Sequence, residues 1–187
     1  MANNDRNETT TASRGTNGSN EHKFLTFCLG NEHFGVEILR VREIIGLIAI
    51  TPLPQTPAYV KGVMNLRGRI IPVIDLRQRF GLVANEATKE TCVVVLEAAN
   101  DDGSQTVMGA IVDSVREVQD IPPAAIEPPP EFGCEIPLRY ILGMGKLKDR
   151  VVVLLDIAEV IGMRERAQIA GAIKDSANLA VSERRAA

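Results

Sequence analysis

The sequence predicts a mainly β protein in which one unit is used twice, each copy forming a small barrel. Three observations carry this. From Phe24 onward the apolar segments are short and broken by Gly, Pro and Asn, the punctuation of strands with small helices. Laying Gly62 to Gly81 over Gly143 to Gly162, an offset of 81 residues (62 to 143), aligns twenty residues without a gap. A second offset of 74 (35 to 109) sets Phe34-Gly35-Val36 over Met108-Gly109-Ala110, and Val41-Arg42-Glu43 over Val115-Arg116-Glu117. A duplicated β unit of roughly seventy residues has the size of a small closed barrel, and closure removes edges that would pair with other chains.

Residues 1–22 are rich in Asn, Thr, Ser and Gly with almost no large apolar side chain, so burial cannot offset the entropy of ordering. They predict a disordered tail. Phe24 to Leu29 and Phe34 to Ile38 flank Gly30-Asn31, and Cys92 to Leu96 and Val107 to Val112 flank Asn100-Asp101-Asp102-Gly103. Each set predicts a hairpin. Ile70 to Ile74 and Val151 to Leu155 are almost wholly apolar, which predicts strands covered on both faces. Pro72 cannot donate to a ladder, so its strand is expected at an edge or bulged there. Ile121 to Pro130 carries five prolines and predicts a stiff, extended surface linker. Ala167 to Val181, with Ile169 and Ile173 at helical spacing, predicts an amphipathic helix.

Inside the longer repeat, Leu66 meets Leu147, Arg69 meets Arg150 and Asp75 meets Asp156. Asp75 and Asp156 each end an apolar run and are expected to cap a short helix, with Gly81 and Gly162 closing it. Gly68 faces Asp149, and both residue types tolerate a left-handed backbone, so each is expected at a hairpin tip. Glu43 and Arg67 have mates of the same charges, Glu117 and Lys148. That suggests an acid–base pair in each barrel.

The formal charge of −3, from 24 acidic and 21 basic residues out of 187, is spread along the chain and offers no basic stripe for nucleic acid. The aromatic content of 4%, without tryptophan, removes stacking platforms for single strands. Cys28, Cys92 and Cys134 are far apart, and the first two sit in apolar runs; they suit a reducing, cytoplasmic compartment. No apolar stretch is long enough to span a membrane. His22 and His33 lack a nucleophile elbow and read as solvated. Metal-ligand spacing is absent. Gly145-Lys146 lacks the rest of a phosphate loop, and Asp101-Asp102-Gly103 the rest of a calcium loop. The residues therefore give no catalytic site, metal or cofactor.

The stretch Thr56-Pro57-Ala58-Tyr59-Val60-Lys61-Gly62-Val63-Met64-Asn65-Leu66-Arg67-Gly68-Arg69-Ile70-Ile71-Pro72-Val73-Ile74-Asp75-Leu76 closely resembles the signature of the CheW family of bacterial chemotaxis coupling proteins. The likeness runs on through Gly35-Val36-Glu37-Ile38, Val41-Arg42-Glu43-Ile44, Gly109-Ala110-Ile111-Val112-Asp113, Pro130-Glu131-Phe132 and Ile141-Leu142-Gly143. It covers roughly residues 23–163. Arg69, His33 and Pro128-Pro129-Pro130 depart from the family's usual residues and bear on partner specificity.

The resemblance implies two SH3-like five-stranded β-barrel subdomains around a shared core, roughly 23–90 and 91–163, with chain exchange between them allowed. Residues 164–187 follow as a C-terminal helix or tail. It also implies an adaptor without a reaction of its own, located in the cytoplasm and recruited to membrane receptor arrays. Its partners would be the regulatory domain of the histidine kinase CheA and the cytoplasmic tip of a chemoreceptor. Residue matching puts Val36, Ile38, Val41, Ile44, Asn65, Leu66 and Arg67 near the receptor groove, with the kinase contact in the second barrel. An adaptor of a pilus, motility or other chemosensory pathway is the alternative within the family. A small-molecule or nucleic-acid-binding β-barrel is the alternative outside it.

Overall fold

The computed structural model describes residues 20, 22–99, 103–130, 136–160, 162 and 171. Most of the expected N-terminal tail, the Asn100 to Asp102 hairpin tip, Glu131-Phe132, Cys134 and nearly all of the C-terminal segment lie outside these residues.

The first copy runs β1 (Lys23–Leu29), β2 (Glu32–Glu37), a 3-10 turn over Ile38–Arg40, β3 (Val41–Gly46), β4 (Val60–Leu66), β5 (Arg69–Asp75) and α1 (Leu76–Arg79). The second runs β6 (Cys92–Ala99), β7 (Gln105–Val112), β8 (Ser114–Asp120), β9 (Ile126–Glu127), β10 (Ile141–Lys146), β11 (Val151–Leu155) and α2 (Ile157–Val160). Both expected hairpins form, the first around Gly30 at φ 63°. Asp75 Oδ1 accepts from the Gln78 amide at 3.2 Å, and Asp156 Oδ1 from Ala158 at 2.9 Å and Glu159 at 3.3 Å. These are the helix caps that the aligned aspartates predict.

The strands form two barrel-like sheets, ordered β8-β1-β2-β11-β10-β9 and β3-β6-β7-β5-β4. The duplication is visible in their irregularities. β4 shifts register between Val60 and Gly62 against β5, and β10 shifts between Ile141 and Gly143 against β11, in the same repeat columns. The copies are interlaced. β2 runs parallel to β11, with Gly35 opposite Leu154, and β7 runs parallel to β5, with Gly109 opposite Val73. Each sheet thus joins a hairpin from one copy to strands of the other, and the reciprocal exchange amounts to an internal twofold arrangement.

Packing follows the same scheme. A central cluster draws on both sheets, including Phe27, Phe34, Val36, Leu96 and Met108. Met64, Ile71, Val73, Val93 and Val95 line the five-stranded sheet alone, and Phe24, Val152 and Leu154 with Ile121 line the other. Gly35 and Gly109 occupy equivalent places against these linings. A Cβ at Gly35 would lie 2.9 Å from Leu154 Cδ2, and one at Gly109 2.7 Å from Val93 Cγ1.

Four expectations are corrected. β5 is an interior strand, and the bulge falls on β4 rather than at Pro72. Val63 spends both its backbone groups on Thr51, so its pair with Pro72 needs no donor, and the β7 pairing begins only at Val73. Ile70 and Val151 are 58% and 48% exposed, so both-sided cover starts one residue later in each strand. Ile121 to Pro130 is more than a linker: Ile121 is fully buried, and Ile126–Glu127 pairs with β10. Asp149 is not left-handed; Gln55 and Arg67 are the described non-glycine residues with positive φ.

Candidate functional site

Apart from Val36, the residues assigned to a binding surface lie along β3, the turn before it and the β4–β5 hairpin of the five-stranded sheet. β3 ends that sheet, pairing with β6 alone among the described strands. Its burial alternates, with Val41, Glu43 and Ile45 half-buried and Arg42 and Ile44 exposed. The 3-10 turn before it leaves Leu39 at 65% exposure. The β4–β5 hairpin closes opposite, through Arg67 and Gly68 at φ 52° and 83°. Two consecutive left-handed residues make the tight turn that suits twisted strands. Asn65 Oδ1 fixes it by accepting the Gly68 amide at 2.8 Å.

Across the rim, Arg67 Nη2 donates to Glu43 Oε2 at 2.8 Å. The Arg67 side chain is 79% exposed, so the pair contributes about 0–1 kcal/mol to stability. Beside it, Arg42 grips Glu97 with Nε to Oε2 at 2.5 Å and Nη2 to Oε1 at 2.7 Å. The Arg42 hydrogen bond holds the Glu97 carboxyl below the usual glutamate range, and Glu97 in turn raises Arg42. Between these pairs lies a groove of about 440 Å³, lined by Glu43, Leu66, Arg67, Ile70, Val95 and Val107 among others. Such a surface offers apolar contact with charged groups at its border.

The expected receptor-groove residues separate here. Ile44, Asn65 and Arg67 are exposed, Ile38, Val41 and Leu66 are half-buried, and Leu66 and Arg67 line the groove itself. Val36 departs from the expectation: it is fully buried in the central cluster and has no surface to offer. Leu39 and Ile70 are exposed residues that pattern reading missed. Val151, in the repeat column of Ile70, is exposed too.

The second copy repeats the surface with a change of partner. Glu117 takes Arg150 Nη2 at 2.7 Å, in place of the expected Lys148. Arg150 is the mate of Arg69, so the base comes from the residue just before β11 rather than from the tip position of Lys148. Val118, the mate of Ile44, is again exposed. His33 is half-buried rather than simply solvated, with Nδ1 3.4 Å from Cys28 Sγ. Among the described residues no helix is long and apolar enough to cross a membrane.

Two interlaced sheets presenting matched apolar and charged rims define a scaffold module that works by protein contact. Residues 23–165 match the family described as CheW-like domain. The chain belongs to this family, a family of scaffold and adaptor proteins. It is 39% identical over 147 residues to the chemotaxis protein CheW of Klebsiella aerogenes, covering 79% of this chain and 86% of that one. It is 37% identical over 140 residues to the chemotaxis protein CheW of Helicobacter pylori, covering 74% and 81%. Among solved structures, the scaffolding protein TtCheW from Thermoanaerobacter tengcongensis superposes with a TM-score of 0.69 at 33% identity, covering 77% of this chain and 90% of that one.

Proposed function

We propose that this chain is a chemotaxis coupling adaptor that joins the cytoplasmic tip of a chemoreceptor to the regulatory domain of the histidine kinase CheA. It acts by binding, without turnover, in the cytoplasm at membrane receptor arrays. The receptor tip is read by the rim of β3 and the β4–β5 hairpin, through Ile38, Val41, Ile44, Leu66 and Arg67, while Asn65 holds the hairpin in shape. The kinase takes the second copy's surface. Weak single contacts suffice, because an array raises the effective concentration of each.

The observation that carries this reading is Arg67. A non-glycine residue in the left-handed region costs about 1–2 kcal/mol, and its exposed ion pair returns at most about 1 kcal/mol. Stability does not account for an arginine at a tip where glycine or asparagine is less strained. A solvent-facing guanidinium kept at such a cost points to recognition.

Capture on an immobilised receptor tip and on a CheA regulatory domain tests this. Arg67→Glu places two carboxylates together at the rim. It is expected to weaken receptor-tip capture at least about tenfold, ~1.4 kcal/mol, with the melting temperature and kinase capture retained. Undiminished receptor capture would remove Arg67 from the site. Parent protein that captures neither partner would end the adaptor reading.

A further inference from the structure

α1 and α2 occupy the same place in the two copies, and they touch. Arg79 ends α1, and its mate in the second copy is Val160, which ends α2. Arg79 Nε donates to the Val160 carbonyl at 3.1 Å. In a twofold arrangement a residue in contact with its own mate lies beside the axis. This bond therefore marks where one copy turns about the other. It also satisfies one of the carbonyls that a helix end leaves without an internal partner.

The aromatic surroundings repeat the pattern. The Arg79 guanidinium carbon lies 4.5 Å from the Tyr59 ring centroid and 5.1 Å from that of Tyr140. Tyr59 and Tyr140 are also mates, one from each copy, and each accepts an equivalent backbone bond, from Asp75 and Asp156 at 2.8 and 2.9 Å. One cation is thus held by matching ring faces of both halves. The duplicated position carries buried Val160 and adds no cation of its own. Tyr140 is shared with Arg139, whose guanidinium carbon lies 4.6 Å from the ring centroid, whereas for the Tyr59 ring the described cation is Arg79. Phe80 ties it to the central cluster, with ring centroids 5.8 Å from Phe34 and 6.2 Å from Tyr140.

The two sheets, unlike the interlaced copies, meet largely through the apolar central cluster, whose burial is non-directional and tolerates small rotations. A guanidinium hydrogen bond with two ring contacts at the axis is directional. We propose that Arg79 is the positioning residue that fixes the angle between the two sheets, and with it the spacing of the two partner-binding faces. The spacing clause rests on the adaptor reading above; the angle clause does not.

Spin labels attached through genetically encoded keto side chains at positions 69 and 148 leave every cysteine in place and report one distance between the sheets. The parent is expected to give one narrow distribution. Arg79→Met, which keeps length but loses charge and donor, broadens or displaces it, and Arg79→Lys, which keeps the cation without the planar Nε–H donor, restores it in part. Tyr59→Leu removes one ring wall and serves as the same test should R79M fail to fold. A parent-like distribution in R79M, or in Y59L where that variant stands in, overturns the proposal. In a reconstituted receptor–kinase assembly, R79M is expected to bind each partner alone as the parent does and to lose kinase activation. Full activation despite a broadened distribution overturns the spacing clause. Parent protein that binds neither partner sinks the adaptor reading, while the distance measurement still decides the angle.

Discussion

Replacing Gly62 by alanine, and its mate Gly143 by alanine, separates backbone strain from side-chain crowding at one repeat column. Gly62 has φ 134°, and a Cβ there would lie 2.0 Å from the Thr51 carbonyl oxygen and 2.8 Å from Pro52 Cα. Both neighbours are backbone and cannot rotate away. Relief requires the Thr51–Val63 bridge to open, with loss of two hydrogen bonds of 2.8 Å. At about 1 kcal/mol each, plus about 1–3 kcal/mol of conformational strain, the loss is about 3–5 kcal/mol. That is a large share of the roughly 5–15 kcal/mol that holds a domain folded. Gly143 has no left-handed backbone, and the nearest atom to its Cβ is Ile126 Cγ2 at 2.5 Å, a half-buried side chain able to change rotamer, with the Glu127 carbonyl oxygen at 3.0 Å the nearest backbone atom, against 2.0 Å at Gly62. Its cost is overpacking, about 1–3 kcal/mol. Urea denaturation followed by circular dichroism is expected to show Gly62→Ala losing at least about 1 kcal/mol more than Gly143→Ala, with unchanged slope. Equal losses, or a nearly neutral Gly62→Ala, would refute the assignment of Gly62 to backbone contact.

Two further outcomes follow from side-chain geometry. Asp156→Ala and Asp75→Ala are each expected to cost about 0.5–2 kcal/mol, the former more because Asp156 Oδ1 accepts two amides against one at Asp75; the order is read from paired melts. Arg42 holds Glu97 below its ordinary range, so the pair adds stability fully present above the unfolded glutamate value of about 4.3 and lost as pH falls through the lower folded value. Glu97→Gln is expected to flatten that acid limb in melts taken from neutral pH downward, and an unchanged limb would contradict the pairing.

The sequence made the two copies legible because their columns carry backbone constraints. Gly62 and Gly143 mark the same bulge, Asp75 and Asp156 the same cap, and Gly35 and Gly109 the same close approach. Interlacing, which the family resemblance allowed, was not legible in the repeat itself for a related reason. When β2 and β7 descend from one pattern, as do β5 and β11, pairing within a copy and pairing across copies present the same residues to each other. Only the three-dimensional chain path decides between them. Pro72 misled because a missing donor matters only on the side where a neighbour is waiting, and β7 arrives at Val73. Val36 and Ile44 are alike in a list of apolar residues, yet one is at the centre of the shared core and the other at a sheet edge. Arg150 displaced Lys148 because the second hairpin tip lacks the left-handed pair that aims Arg67 at Glu43.

Sedimentation velocity of this chain mixed with a receptor tip and a CheA regulatory domain measures whether two partners are held at once. A single faster boundary containing all three proteins is expected. A mixture in which one partner displaces the other, or in which every component sediments alone, would contradict it.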